Sequence, residues 1–193
     1  MRILILIVCL VFSFCVFATD PRTLEAYTDW KQRERVSTRA FEQYLVSKGL
    51  DQLVPMNQLL RSASDWEKCE AQPFSLPPDS QWSHVESVLE LLRHLKQSNV
   101  LMEFEVHSAY RDPKLNDCAK GARSSAHMRT FALDLTSSDG SSTAAALCEF
   151  WKAEGEKWNM GLSRYKSGRI HIDTSGYRTW GHTGKYDSSY CKW

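Results

Sequence analysis

After an apolar run at residues 3–18, the chain changes its hydrophobic period several times, and each change marks an element. Phe41, Tyr44, Leu45 and Lys48 share one face at helical spacing, which predicts a helix over 22–48 closed by Gly49. The charged run of Lys31, Arg33, Glu34 and Arg35 reads as the solvated side of that helix. A short helix is expected at 55–61. Pro73 to Pro78 reads as a loop, because proline cannot continue a helix. Trp82, Val85, Val88, Leu89, Leu92 and Leu95 return at helical spacing and predict a helix over 81–97 with Ser80 as its cap.

Strict alternation then takes over. Met102, Phe104 and Val106 face one way and Glu103, Glu105 and His107 the other, the pattern of a half-buried strand. Ser108 to Pro113 turns away from it. Phe131, Leu133 and Leu135 alternate with Ala132, Asp134 and Thr136 in a second strand. A polar loop precedes a helix at about 142–157. Two strands near 159–164 and 169–174 are joined by Lys166-Ser167-Gly168, a hairpin signal. The expected fold is α+β: a small, mostly antiparallel sheet with flanking helices (81–193) behind an N-terminal helical extension (19–80), forming one compact unit.

Composition adds the compartment. Arg2 followed by the apolar run at 3–18 has the form of a signal peptide, with Val16 and Ala18 as the small residues before a cut after Ala18. The run is short for a spanning helix, which needs ~20 residues. The mature protein is therefore expected to be exported, periplasmic or secreted, free of the membrane and monomeric. Cutting there removes Cys9 and Cys15 and leaves Cys69, Cys118, Cys148 and Cys191. An even count in an exported chain reads as disulfides, with three pairings open. Cys69–Cys118 with Cys148–Cys191 is favoured because the second pair would hold the C-terminus. A four-cysteine zinc site is the poorer reading, since no CxxC pair occurs. Lys+Arg of 24 against Asp+Glu of 23 argues against nucleic acid held by bulk charge.

The residues able to do chemistry cluster late in the chain. His127 precedes the second strand, Asp134 lies on its polar face, and His171 and Asp173 share the polar face of the last predicted strand. Two imidazoles and a carboxylate suffice to hold catalytic zinc while leaving a position open for water. No Gly-x-Ser-x-Gly elbow offers a serine nucleophile instead.

Ser125-x-His127-x-x-x-x-Ala132-x-Asp134, with Ile170-His171-Ile172-Asp173 downstream, resembles the zinc D-Ala-D-Ala carboxypeptidase and murein endopeptidase family, whose fold is shared with the hedgehog signalling domain. Ser108-Ala-Tyr-Arg111-Asp-Pro, Asn116, Gly161, the Tyr165–Gly168 hairpin, Thr174 and Arg178-Thr-Trp180 extend the similarity over about 81–181. The resemblance implies zinc held by His127, Asp134 and His171. It implies Arg111 as a group that binds or polarises substrate, and Ser125 as a substrate contact or an orienter of its loop. It implies hydrolysis of peptidoglycan peptides.

Two departures stand out. Thr130 occupies a position usually held by glycine, and Gly168 stands where several branches carry an acid. Asp173 is then the nearest acid, expected either as the general base or as the partner that holds His171. His182 and His107 are reserve candidates for the base. A non-catalytic peptidoglycan-binding or peptide-binding module of the same fold is the alternative.

Overall fold

The computed structural model describes residues 21–192, so the signal-like run, the cut after Ala18, Cys9 and Cys15 lie outside the described residues. The N-terminal part holds α1 (Leu24–Arg33), α2 (Arg35–Ser47) and the single-turn α3 (Met56–Leu59). The helix expected over 22–48 is thus two helices that break at Glu34. Neither glycine nor proline marks the break. It turns Tyr27 and Trp30 toward Phe74 while Phe41 packs against Trp82. At the end of α2 the amides of Gly49 and Leu50 bond back to Val46 and Leu45, and Gly49 takes the φ of +63° that this closure needs.

Next come α4 (Trp82–Gln97), β1 (Phe104–Ser108) and α5 (Pro113–Cys118). Ser80 does not cap α4. It lies inside a tight 3₁₀ turn at Asp79–Gln81, and the helix starts behind Gln81 without a side-chain cap. The short helix α5 is additional to the sequence reading. Its N-cap is Asp112, whose carboxylate accepts from the amides of Lys114 and Leu115 at 2.9 and 3.0 Å.

The rest is β2 (Ala132–Ser137), α6 (Gly140–Glu154), β3 (Gly161–Arg164), β4 (Ile170–Asp173) and β5 (Arg178–Trp180). The five strands form one sheet in the order β1-β2-β4-β3-β5. All neighbours run antiparallel except β3 and β5, which are parallel. The fold is α+β. On one face Val106, Leu133, Leu135, Leu162, Ile170 and Ile172 join the buried residues of α4 and α6 in a single core that also takes in Phe41, Leu45 and Phe74. The second face of β2 is not open as its alternation implied, since Ala132 and Asp134 are buried as well. Loops and the β3–β4 hairpin cover it.

Disulfides join Cys69 to Cys118 and Cys148 to Cys191. The first fastens the segment after α3 to α5, and the second fastens the C-terminus to α6. Two disulfides fit an exported protein. No helix among the described residues is long and apolar enough to cross a membrane.

Candidate metal centre

Strand register assembles the site. Ser108, Asp134, His171 and Ser163 are successive partners across β1, β2, β4 and β3, which puts Asp134 beside His171 on one face. His127 arrives from a 3₁₀ turn (Ala126–Arg129) just ahead of β2. Ser125 caps that turn, its hydroxyl accepting from the His127 amide at 3.3 Å. The turn ends at Thr130 with φ of +61°, a left-handed backbone that costs a β-branched residue energy. The glycine usual at this position therefore answers a dihedral requirement. Here Thr130 meets it while donating its hydroxyl to the Gln81 carbonyl at 2.9 Å.

His127 Nε2, Asp134 Oδ1 and His171 Nδ1 converge. Asp134 Oδ1 lies 3.2 Å from the first and 2.9 Å from the second, and the two ring nitrogens are 3.2 Å apart. All three residues are buried and could hold a metal ion.

The outer nitrogens explain why the inner ones are available. His127 Nδ1 donates to the Ala109 carbonyl at 2.7 Å, and His171 Nε2 donates to Asp173 Oδ2 at 2.9 Å. With those protons outward, each neutral ring turns a lone pair toward the Asp134 carboxylate. Three electron-rich atoms facing one point need a cation or a proton between them. The electrostatics carry the same requirement. Burial, then the Arg111 charge, pushes the His127 imidazole below its ordinary range. Burial alone would raise the Asp134 carboxyl, but the charges and bonds of both imidazoles hold it well below its usual range. Burial also opposes a charged His171, yet its bonds to Asp134 and Asp173 hold that imidazole above its usual range.

A second row of strand partners supports the first. Ala132, Asp173, Gly161 and Arg178 align across β2, β4, β3 and β5. The Arg178 guanidinium crosses over Gly161 and grips both oxygens of Asp173 at 3.0 and 2.8 Å. Ser175 adds its amide and hydroxyl to Oδ1 at 2.8 and 2.7 Å. Asp173 is wholly buried, and its acceptor positions are filled by these donors and His171. Burial works against its charge, but the bonds from His171 and Arg178 hold its carboxyl far below the usual range.

Gly161 is what lets Asp173 and Arg178 meet, since a Cβ there would lie 2.1 Å from the Asp173 oxygen and 2.7 Å from the guanidinium. Gly161→Ala is therefore expected to displace Asp173 from His171 and to weaken metal binding about 10–100-fold. Competitive titration with divalent metal ions checks this, and an unchanged affinity in the folded variant overturns it.

Arg111 follows β1. It donates from Nη2 to Asp134 Oδ2 at 2.6 Å and from Nε to Ser108 Oγ at 3.1 Å. Its partner is Asp134, since Asp112 is occupied as the cap of α5. Tyr165, at the start of the β3–β4 hairpin, is a site residue that the sequence reading named only as part of a hairpin. The residue is 38% exposed, yet its hydroxyl reaches in to donate to Asp134 Oδ1 at 3.1 Å and lies 3.5 Å from His171 Nδ1. Burial, then the Asp134 charge, pushes that hydroxyl up. Trp180 packs edge-on to His171 with ring centres 5.1 Å apart.

The reserve histidines are elsewhere. His107 bonds Thr136 Oγ1 at 2.8 Å, and His182 is exposed and lines a side cavity with Tyr165 rather than joining the cluster. His84 and His94 are half-buried rather than simply exposed. The former stacks on Phe131, and the latter sits between Phe150 and Trp158.

The inner atoms open onto a cleft of about 780 Å³ whose wall includes Ser125, His127, His171 and Trp180. Arg111, Lys120, Arg129 and Arg178 also line it, and no carboxylate does among the described residues. A chain of near-zero net charge thus presents a locally cationic cleft. Such a wall concentrates anionic ligands.

Searches of curated proteins and of solved structures found no match. The family model described as Peptidase M15 matches residues 53–173, from ahead of α3 to the end of β4, and so takes in the whole His-Asp-His cluster. Match and geometry agree that the chain belongs to the Peptidase M15 family, and with it to the metal-dependent peptidases.

Proposed function

We propose that the chain is a zinc peptidase that hydrolyses peptide bonds in bacterial cell-wall peptides. One observation carries this reading: His127 Nε2, Asp134 Oδ1 and His171 Nδ1 face one point at the floor of an open cleft, with both outer imidazole nitrogens already bonded. Two neutral imidazoles and one carboxylate are a donor set that suits zinc and leaves a coordination position free. Bound zinc supplies Lewis acidity and makes hydroxide accessible near neutral pH. The protein's own groups do the rest. Arg111 and Tyr165 present an N–H fork and an O–H beside the metal-facing atoms, where an oxyanion develops as a peptide carbonyl is attacked. Trp180 gives the cleft an apolar wall.

Asp173 is read here as the positioning residue for His171. A carboxylate with five donors around it and no exposed surface is poorly placed to take a proton from the cleft. Ser125 is read as the residue that orients the His127 turn. Export after a cut at Ala18, and action as a monomer in the periplasm or outside the cell, complete the proposal.

The alternative is a binding module that keeps the fold without the reaction. The observation in its favour is that Asp173 is saturated while Gly168 offers no acid. Purified protein with about one zinc per chain, incubated with cell-wall stem peptides and read by mass spectrometry, separates the two. Cleavage that stops on chelation and returns with zinc is the expected result. Intact peptides in the presence of stoichiometric zinc would reject hydrolysis and leave the module.

A further inference from the structure

A cavity of about 370 Å³ lies between the β3–β4 hairpin and the C-terminal segment. The hairpin supplies Arg164, Lys166 and Gly168 to its wall, and the C-terminal segment supplies His182, Ser188 and Tyr190. Tyr165 lines this cavity as well as the cleft, which puts the cavity beside the metal centre. Both walls are fixed. Arg164 ends β3 opposite Ile170, and the amides of Tyr165 and Gly168 close the turn on the Arg169 and Tyr165 carbonyls at 2.9 and 3.0 Å. Tyr190 packs against the core and precedes Cys191, whose disulfide holds it to α6.

This wall is rich in donors that have no acceptor. Arg164 is half-buried, yet its guanidinium makes no ion pair or hydrogen bond among the described residues. Lys166 and His182 are exposed, and their side chains are equally unpaired there. The Tyr190 hydroxyl is shut away from solvent without a partner. Burial pushes that hydroxyl up while the Arg164 charge works the other way, which makes guanidinium and phenol neighbours. Ser188 cannot serve them, because its Oγ already accepts from the Thr183 amide at 3.2 Å and donates to the Lys185 carbonyl at 3.0 Å. Gly168 stands where several branches carry an acid, and a Cβ there would meet only open space. No carboxylate therefore lines the cavity among the described residues. Donors left this way are costly unless an acceptor arrives from outside.

We propose that this cavity is a phosphate-binding site, taking either inorganic phosphate or a phosphate ester carried by a polymer. The proposal stands apart from the hydrolytic reading above. A guanidinium presents a planar fork that suits phosphate oxygens, and an ammonium adds a compact charge. The donors come from two walls, so they reach oxygens that point in different directions. Phosphate has such oxygens and carries up to two charges, whereas the two oxygens of a carboxylate share one plane. A wall of one sign also concentrates anions. Arg164 and Lys166 are the anchoring residues, with His182 opposite them. A phosphate-bearing chain seated here is held next to Tyr165, and so next to the cleft.

The test is a titration of isotopically labelled, zinc-loaded protein with sodium phosphate, followed by two-dimensional NMR. The amides of Lys166, Gly168 and His182 are expected to shift along one saturating curve. Acetate is expected to bind there at least about tenfold more weakly. Arg164→Ala and Lys166→Glu are each expected to weaken phosphate about tenfold or more, the scale of one lost charged contact. Lys166 is exposed, so its variant keeps the fold, which near-ultraviolet circular dichroism checks. Lys120→Ala removes a cation from the cleft and is expected to leave these shifts unchanged. A glycerol phosphodiester oligomer separates the two sources. Tighter binding than inorganic phosphate assigns the site to a polymer, and weaker binding assigns it to a small phosphate. Shifts confined to Gly121 and Ser124 in the cleft, acetate binding as tightly as phosphate, or variants that bind as wild type does overturn the proposal. Peptide cleavage is read separately, so failure of the hydrolytic reading and failure of this one are told apart.

Discussion

His127→Ala is expected to remove zinc and hydrolysis together. His127 is buried between a fixed carbonyl and the other two candidate ligands, so alanine leaves only Asp134 and His171 facing the site. Two protein ligands are one short of the three that catalytic zinc sites use. Zinc per chain should drop from about one to near zero after dialysis. Cleavage should fall by about 10³-fold or more, since the metal is asked for several kcal/mol of barrier lowering. The substitution also leaves the Ala109 carbonyl without its donor and opens a cavity, so stability falls by about 1–3 kcal/mol. Near-ultraviolet circular dichroism shows whether the variant remains folded. A folded variant that keeps stoichiometric zinc and wild-type cleavage would remove His127 from the site.

The second large effect is expected at Arg111. Arg111→Lys keeps the charge but loses the planar fork that spans Asp134 Oδ2 and Ser108 Oγ. If the guanidinium meets the developing oxyanion, kcat/KM falls about 10²–10³-fold, mostly in kcat, with zinc still bound. If it merely pairs with Asp134, the lysine variant loses zinc affinity and its kcat at saturating zinc stays within about threefold of wild type. Tyr165→Phe gives an independent reading of the same junction. Loss of the hydroxyl that reaches Asp134 should slow turnover about tenfold or more without unfolding the protein, because the ring remains in place.

Much of this site is written in local pattern. Alternation around Asp134 and around His171 puts both on strand faces that can be brought together, and the turn before β2 delivers His127. What alternation does not carry is register. Nothing in the sequence pattern pairs Asp134 with His171 or aligns Gly161 between Asp173 and Arg178. Those relations arise from long-range pairing. The same limit hid β5, a strand of three residues that is held parallel to β3 and is too short to show a period. Tyr165 was hidden for a different reason. An aromatic residue at the head of a hairpin reads as turn chemistry, and only the folded hairpin swings its hydroxyl back over Asp134. The break at Glu34 leaves no mark in the pattern, because the charged residues around it suit a continuous helix and a helix end equally well. Asp112 does carry a readable signal, since an acidic residue directly before Pro113 is a good helix start.

The bond between Cys69 and Cys118 joins two stretches of chain that border cavities on either side of Arg111 and Tyr165. One leads back to Ser64 and Asp65, and the other leads on through Ala119 and Lys120. Asp134 and His171 hang on strands, whereas His127 sits on the 3₁₀ turn that the stretch after Cys118 leads to. The covalent clasp therefore ties the segment after α3 to the stretch that carries the cleft wall on to His127.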